Sequence, residues 1–430
     1  MTSEITAEKL NDWATKSDGP VALRLKQKLL PVEESGIIFP PTYADIGYNI
    51  DTLSDGTRVA TIDSVGSQAN RLEPIFMSNS KTPAEWLVPQ VQIVIRKEPC
   101  GECEACKNAK ADESKKSKKS ACQQPREVTR SLLDLAHRAA DAVVQSSPDL
   151  LKLLAPAFKS LQQGDAGPLC AIAPTSLVFG VWDSRGDTGE KRPRLVRSII
   201  RAWDVEPLHA AAQFNSVWKL LGEDQQNELT KEAKAKKVKL SEKGLADAPS
   251  VFRPKIKAPN YGNGSLNPEV RVLGGVLVRN RIECDGQTKR EGQIEREVTV
   301  NLVALRGLRG KDDTETDAIR KYLLGLSLMA ATADMELFLR EGCLLRYAEN
   351  GDQWYEVPRR GEPVPITLDA AIVKKYVTDA ASHFRSKWPE VFQGKWPKDS
   401  QPPELKYEFN LNEAKKLLAK KAAEEESPSE

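Results

Sequence analysis

Residues 177–201 read LVFGVWDSRGDTGEKRPRLVRSIIR, and this stretch is the most informative one for the fold. It begins within a compact apolar run of strand type, Thr175 to Trp182, and continues through a glycine-containing turn into a basic segment. Residues 194–205 fit either an amphipathic helix or a strand with a basic face, and the sequence leaves both open. In either case, apolar positions alternate with arginines, which predicts an element with one buried face.

Strand and helix patterns are interleaved along the rest of the chain without a regular βαβα repeat. This arrangement indicates an α+β fold rather than a doubly wound sheet. The 430 residues suffice for one large decorated domain, and we predict a single module. The candidate strands are 21–38, 58–63, 90–96, 272–282 and 298–303, and the candidate helices are 64–76, 126–144, 150–161, 214–229, 318–332 and 370–384.

Composition limits the classes of function. The chain is 40% hydrophobic and 29% charged, which is typical of a globular protein. Its net charge of only +2 provides no general attraction to nucleic acid or membranes, so any such binding needs local patches. The longest apolar stretch, Leu323 to Ala333, is too short to span a bilayer. The N-terminus carries no secretory signal pattern, and we expect a soluble, cytoplasmic protein with no membrane partner.

Three segments have the composition of insertions or tails. Residues 98–125 hold four cysteines and a lysine-rich run, and residues 229–270 are basic and turn-rich. Residues 403–430 predict a C-terminal helix and an acidic tail. Residues 231–257 predict a mobile, basic insertion, and a solvated helix with Lys/Glu pairs is the alternative.

The cysteine cluster is the sharpest local motif. Cys100, Cys103, Cys106 and Cys122 have the short spacings with which four thiolates close a tetrahedral zinc shell. We predict structural zinc, because so polar a segment needs a metal to fold around. An iron–sulfur cluster and a loop without metal remain alternatives.

Two segments are candidates for binding phosphate. The basic run places Arg194, Arg197 and Arg201 where they can follow a nucleic-acid backbone. The second segment, residues 63–73, predicts a helix start whose free N–H groups suit phosphate. A solvated basic face and ordinary helix capping are the respective alternatives.

No catalytic signature is present. The sequence has no phosphate-binding P-loop, no nucleophile elbow and only three histidines, none with an evident partner. Asp63 is a candidate for metal-assisted RNA cleavage, although a lone Asp more often caps a helix. We therefore predict that the protein is not an enzyme.

Five phrases in this order resemble a known family: Ser67 to Glu73, Leu177 to Ser184, Arg194 to Arg201, Gly274-Gly275 and Leu302 to Leu308. The chain resembles, from about residue 22 to residue 347, the backbone subunit of the type I-G (formerly I-U) CRISPR Cascade complex. This is the Cas-seven family of the RAMP superfamily.

The resemblance implies a modified RRM-like (ferredoxin-like) core with large insertions, arranged as palm, fingers and thumb. It further implies antiviral defence by a ribonucleoprotein filament in which copies stack head to tail along crRNA and present the spacer to target DNA. The implied partners also include other Cascade subunits and the helicase-nuclease that they recruit. The residues predicted to bind RNA are Ser67, Gln68, Asn70, Arg71, Trp182, Ser184, Arg185, Arg194, Arg197, Arg201, Arg279 and Asn280.

Two rival functions remain at this stage. The first is a metal-dependent RNA endonuclease of the RAMP type that uses Asp63. The second is a zinc-ribbon scaffold without a role in RNA binding, which only the cysteine cluster supports.

Overall fold

The computed structural model describes residues 3–43, 47–80, 82–96, 127–184, 186–211, 224–225, 227–228, 231, 235, 271–278, 292–388 and 405–426. Helices and mainly antiparallel sheets are mixed along these residues, which confirms the α+β class. Among the helices described, none has the length and apolar composition that a membrane span requires.

Seventeen strands are described. They are β1 (Ser3–Glu4), β2 (Ala22–Pro31), β3 (Ile37–Ile38), β4 (Ile50–Thr52), β5 (Arg58–Asp63), β6 (Gln92–Arg96), β7 (Glu127–Ser131), β8 (Val181–Trp182), β9 (Lys191–Arg192), β10 (Val196–Trp203), β11 (Val205–Ala211), β12 (Arg271–Val278), β13 (Gln293–Asn301), β14 (Phe338–Arg340), β15 (Cys343–Val357), β16 (Val364–Thr367) and β17 (Lys406–Glu408).

The α-helices of the described ranges are α1 (Ala7–Thr15), α2 (Val65–Leu72), α3 (Ala142–Gln145), α4 (Pro148–Gln162), α5 (Gly167–Ile172), α6 (Pro174–Val178), α7 (Leu302–Arg306), α8 (Asp313–Thr332), α9 (Ala370–Lys387) and α10 (Leu411–Glu426). The last of these lies in the predicted C-terminal segment. Short 3₁₀ turns at Glu73–Phe76 and Arg138–Ala140 complete the region that matters for the site.

One sheet dominates the molecule. It has nine strands in the order β1-β16-β15-β2-β13-β10-β5-β4, with β14 paired to β15. At its centre β15, β2, β13 and β10 lie side by side and all pair antiparallel. Two smaller sheets have the orders β11-β12-β3 and β17-β6-β7, and β8 pairs with β9 in a separate hairpin.

The central strands each have one buried face because their side chains alternate. In β2, Leu23, Leu25, Gln27 and Leu29 are buried, whereas the intervening basic residues are partly exposed. The strand β13 repeats this alternation over its whole length. This period of two fixes which side chains enter the core and which face away from it.

Helices α8 and α9 pack closely in the core. The ring of Tyr322 on α8 stacks on Phe384 of α9 with centroids 4.9 Å apart. A Cβ atom added at Gly325 would lie 2.9 Å from Cα of Val377. Glycine therefore permits the two helices to approach this closely.

A chain of buried polar side chains crosses the core. The Arg296 guanidinium, which is fully buried, donates to Oε1 of Gln27 at 2.6 Å and to Oγ of Ser198 at 3.1 Å. Ser198 donates in turn to Gln68, and Gln68 donates to Asp63, each at 2.6 Å. The network thereby joins β2, β13, β10, β5 and α2.

The strand pair β6–β7 contradicts the prediction of a helix over residues 126–144. Residues 126–144 were expected to form a helix, but β7 pairs antiparallel with β6, and short turns and α3 follow it. Arg96 pairs with Glu127 at the ends of the two strands, so residues 97–126 connect adjacent strand ends. Tertiary pairing overrides the local helical period here.

Two further elements differ from prediction. Residues 175–178 of the predicted apolar strand lie in α6, which begins at Pro174, a residue suited to the first turn of a helix. The predicted strand 298–303 ends at Asn301, whose side chain accepts from the N–H of Ala304 and caps α7. The ambiguous basic segment is a strand, β10.

We predict that replacing glycine by alanine at two helical positions has different effects on the free energy of unfolding. Gly325→Ala should lower the free energy of unfolding by about 1–3 kcal/mol, because the new methyl group meets the backbone of Val377. Gly66→Ala is the control, since nothing lies within 4 Å of its Cβ position, and it should be neutral or stabilise by up to about 1 kcal/mol. Equal stability of the two variants in urea denaturation would contradict the close-packing argument.

Candidate nucleic-acid interface

A cleft of about 520 Å³ lies between α2, the turn Arg138–Ala140 and the β8–β9 hairpin. Asn70, Trp182, Ser184 and Arg194 line it, so the fold brings together four residues that the sequence predicts to bind RNA. These four side chains are all exposed, although they come from three separate parts of the chain.

The hairpin presents an aromatic ring and a cation side by side. Trp182 of β8 pairs with Lys191 of β9, and the lysine Nζ lies 5.6 Å from the centroid of the indole ring. The Trp182 side chain is 59% exposed, which is unusual for so large an apolar group. An exposed ring beside a cation is the combination on which a nucleotide base can stack.

The loop of the hairpin has a fixed shape. Asp183 is buried and accepts from Oγ1 of Thr188 at 2.7 Å, while its backbone N–H donates to Glu190. Gly180 has φ +82°, and a Cβ there would lie 2.8 Å from Cγ of Arg194. The turn therefore holds Trp182 and Arg194 in a defined relation.

A buried ion pair forms the floor of the cleft. Nε of Arg138 lies 2.6 Å from Oε2 of Glu73, and both side chains are almost fully buried. The same guanidinium donates to Oδ1 of Asn70 at 3.3 Å and to the carbonyl of Gly180 at 3.4 Å. It also lies over the ring of Phe179, 5.4 Å from its centroid. Arg138 thus links α2 to the hairpin from below.

Burial shifts the pKa of both members of this pair. It raises the pKa of the Glu73 carboxyl to about 7, although the charge of Arg138 opposes the shift. Burial also lowers the pKa of Arg138, with Glu73 acting in the other direction. Arg138 has φ +54°, a conformation that is uncommon for a side chain of this size. Neither Glu73 nor Arg138 was predicted from the sequence as part of the site.

The cleft is cationic. Arg138, Lys191, Arg192 and Arg194 line it, and none of its described lining residues is acidic. Two of the four have an acidic partner outside the cleft, because Arg138 pairs with Glu73 and Arg192 pairs with Glu190 at 2.8 Å. Lys191 and Arg194 have no ion pair with any residue that the structure describes, so their charges face the cleft uncompensated.

The predicted arginine strip is divided between two places. Arg194 precedes β10 and lines the cleft, whereas Arg197 and Arg201 lie on β10 and do not line it. Arg197 is exposed and Arg201 is partly buried, 4.0 Å from Glu297. The two positions share one face of the strand because they are four residues apart.

Gln68, which the sequence predicts to bind RNA, has a fully buried side chain. It is bonded at both ends, to Asp63 and Ser198, so it belongs to the core network. Arg71 is also engaged within the protein: Nε lies 3.2 Å from Oδ2 of Asp63, and the guanidinium donates to the carbonyls of residues 338 and 339. Ser67 is partly buried on α2, whose N-cap is Ser64 as predicted.

Several predicted residues lie outside the described part of the chain. These are Arg185, Arg279 and Asn280, and the four cysteines proposed to bind zinc, Cys100, Cys103, Cys106 and Cys122. Most of residues 229–270 also lie outside it. Within the described ranges no group of three or more His, Cys, Asp or Glu side chains is placed to hold a metal ion.

We predict that Glu73 makes stability depend on pH. Its pKa is about 7 in the folded protein and near 4.5 in the unfolded chain, so its stabilising contribution is complete below 4.5 and is lost as pH rises through 7. Between about pH 4.5 and about pH 7 the wild type should lose up to about 3 kcal/mol more than Glu73→Gln. Parallel stability–pH curves from denaturant titrations would show that Glu73 does not titrate there.

Comparison with known proteins agrees with the geometry. Residues 23–207, a little under half of the chain, match the family model described as CRISPR-associated protein GSU0053. No curated protein matches the chain. The matched range contains α2, the lining of the cleft and β10. The match shows that the chain is similar, over these residues, to the family described as CRISPR-associated protein GSU0053, which agrees with the resemblance at that level.

Proposed function

We propose that the chain is a crRNA-binding backbone subunit of a type I-G Cascade, which polymerises along the guide RNA and presents the spacer to target DNA. The observation that carries the proposal is the cleft, where Trp182, Lys191 and Arg194 combine a stacking ring with two cations that have no ion pair among the described residues. The family match supports the CRISPR setting, and the resemblance of the sequence phrases supports the subunit type.

The order of the central strands supports an RRM-like core. Along the chain β2, β10, β13 and β15 come first to fourth, with α2 between the first two and α8 between the last two. Across the sheet these strands lie in the order β15, β2, β13, β10, which is fourth, first, third and second in chain order, and all neighbours are antiparallel. This is the order of the ferredoxin-like βαββαβ unit on which RRM modules are built. The arrangement of the core and its insertions as palm, fingers and thumb is part of the same proposal.

The chemistry of the cleft suits a guide whose sequence varies. Lys191 and Arg194 provide charge for phosphates, and Trp182 offers a surface on which any base can stack. Such contacts read the backbone and the shape of RNA, and they leave base edges free to pair with a target strand.

Filament partners follow from the same proposal. Copies of the chain would contact one another head to tail, and other Cascade subunits and a helicase-nuclease would join the assembly. A net charge of +2 keeps adjacent copies from repelling one another, provided that basic residues are concentrated at the RNA.

The nuclease alternative is less well supported. Asp63 is 2% exposed, and its carboxylate accepts from Gln68 and pairs with Arg71. A hydrated metal ion would have to displace both partners and open the core network. We therefore favour a binding role over cleavage by this residue.

We predict that Lys191→Ala combined with Arg194→Ala weakens binding to single-stranded RNA equally for different sequences. The slope of log affinity against log salt should fall by about 1.4, because two phosphate contacts are lost. Trp182→Ala should cost about 1–3 kcal/mol of binding energy through lost stacking and should leave that slope unchanged. Filter binding across a range of salt concentrations measures both quantities.

The matched control is Lys374→Ala with Lys375→Ala, which removes the same charge from the exposed side of α9. It should bind RNA like the wild type. If it weakens binding as much as the cleft variant does, or if the cleft variant loses affinity for only some sequences, the proposed cleft contacts are wrong.

We further propose that Cys100, Cys103, Cys106 and Cys122 hold one structural zinc ion. The antiparallel ends of β6 and β7 support this, because they bring the two ends of the cysteine-containing segment together. The stems are two strands, where the sequence predicted a strand and a helix.

Purified protein should contain about one zinc per chain, and Cys103→Ser should lose it. Cys343→Ala, which changes a buried core cysteine, should keep the metal. Metal analysis with thiol titration tests this: less than about half an equivalent of zinc, with all four thiols reactive, would end the proposal.

A further inference from the structure

One end of the central sheet carries large apolar side chains on its outer surface. Phe338 of β14 is 54% exposed, Leu344 of β15 is 46% exposed, and Val32, which directly follows β2, is 48% exposed. Single apolar residues scattered over a surface are ordinary, whereas several that lie side by side mark an interaction site. The relative positions of these three side chains therefore matter.

Strand register places the three side chains next to one another. Phe338 pairs directly with Leu344 across the β14–β15 hairpin. Leu345 pairs with Pro31, and the N–H of Val32 donates to the carbonyl of Leu344 at 3.1 Å, so Val32 lies beside Leu344 on the other strand. Directly paired residues of antiparallel strands point to the same face. Val32, Leu344 and Phe338 thus form one continuous line across three strands, which we call the apolar row.

Phe39 adds a second aromatic ring at the turn of the hairpin. Its backbone N–H donates to the carbonyl of Gly342 at 2.8 Å, and a Cβ added at Gly342 would lie 2.9 Å from Cδ2 of the Phe39 ring. Gly342 has φ +76°, a conformation that glycine adopts without strain. The turn therefore places an exposed ring against the backbone two residues before Leu344.

The sequence at this end of the sheet differs from that of its centre. In β2, buried leucines alternate with polar and basic residues. In the hairpin the sequence reads LFL at residues 337–339 and CLL at residues 343–345, and the first and last residue of each run are buried in the core. Continuous apolar runs of this kind are typical of strands that are covered on both faces. The outer face of the hairpin is nevertheless exposed, so its sequence indicates a partner that covers it.

Acidic side chains flank the apolar row. Each of four exposed glutamates lies within three residues, along the chain, of a member of the row, and none has an ion pair with a residue that the structure describes: Glu33, Glu34, Glu336 and Glu341. The exposed cations of the hairpin are Arg340, which donates to the carbonyl of Pro40 at 3.3 Å, and Arg346. The surface is therefore apolar at its centre and mainly acidic at its margin.

The hairpin that carries the apolar row is held in place by α2. The guanidinium of Arg71 donates to the carbonyls of Phe338 and Leu339 at 3.3 and 3.1 Å. These bonds occupy backbone acceptors of β14, so a partner would contact the exposed side chains rather than extend the sheet at these two carbonyls. Because the surface is already ordered, binding costs little conformational entropy on this side.

We propose that the apolar row is a docking surface for another protein, whose contacting segment carries apolar side chains flanked by lysine or arginine. The apolar side chains would cover Phe338 and Leu344, and the cations would face the glutamates. An apolar centre with a charged margin and aromatic anchors is the usual anatomy of a protein–protein interface. The proposal goes beyond the proposed function, because no residue of the row lines the cleft.

Charge argues against two other occupants of the row. Nucleic acid would bring phosphates towards the acidic margin, which repels them. A two-fold symmetric contact with a second copy would place the same acidic margin on both sides of the interface. A basic segment of another protein meets neither obstacle.

The test measures binding of the full chain to a fluorescein-labelled peptide that alternates lysine with leucine and phenylalanine, by fluorescence anisotropy. A peptide with glutamate in place of lysine is the comparison, and the wild type should bind the lysine peptide several-fold more tightly. Phe338→Ser with Leu344→Ser should abolish most of that binding. The matched control is Val303→Ser with Val364→Ser, which changes valines that are 52% and 49% exposed on α7 and β16 and should bind like the wild type.

A charge-reversal variant keeps the test decisive if the double serine variant folds poorly. Glu33→Lys with Glu34→Lys changes two exposed residues after β2 and should shift the preference towards the glutamate peptide. An unchanged preference in this variant contradicts the role of the acidic margin.

Three results overturn the inference. If the wild type prefers neither peptide, or if the serine variant binds the lysine peptide like the wild type, the proposed occupant is wrong. If the serine variant instead loses concentration-dependent self-association in sedimentation, the row joins copies of the chain. If it loses affinity for a labelled oligouridylate, the row contacts nucleic acid. The cleft is tested separately by the Lys191/Arg194 variant, so either proposal can fail without the other.

Discussion

The buried guanidinium of Arg296 is the constraint on which the core depends. Within the described part of the chain it forms no ion pair, and it donates to the neutral acceptors Gln27, Ser198 and the carbonyls of Ala330 and Ala333 at the end of α8. Burial lowers the pKa of Arg296, because removing the cation from water destabilises its charged form. Every one of these partners must therefore be in place when the fold is complete.

This requirement links the sheet to the helices and to the strand register. Arg296 lies on β13 opposite Gln27 of β2, and Ser198 lies on the adjacent strand β10. A shift of one residue in either pairing would turn the guanidinium to the opposite face of the sheet, away from its acceptors. Because Ser198 also donates to Gln68, the same register fixes α2, the helix that forms one wall of the cleft.

Much of the fold could be predicted from local pattern, whereas the roles of single polar residues could not. The alternation in β2 and the Ser64 cap of α2 are properties of a few adjacent residues, and the structure confirms them. Gln68 was assigned to RNA because it stands in a polar phrase, but its partner Ser198 is 130 residues away. Arg138 was missed for the same reason, since its partner Glu73 lies in a different element. Only folding shows which polar side chains face each other.

The same logic explains how a nearly neutral chain can present basic surfaces. Acidic side chains lie next to two of the arginines that link elements near the cleft: Glu73 pairs with Arg138 and Asp63 pairs with Arg71. Each of these pairs withdraws one acidic and one basic side chain from the protein surface. Cations that form no ion pair with any described residue, such as Arg194 in the cleft, remain in contact with solvent. The basic character of a surface therefore depends on where the acidic residues form ion pairs, more than on the total number of arginines and lysines.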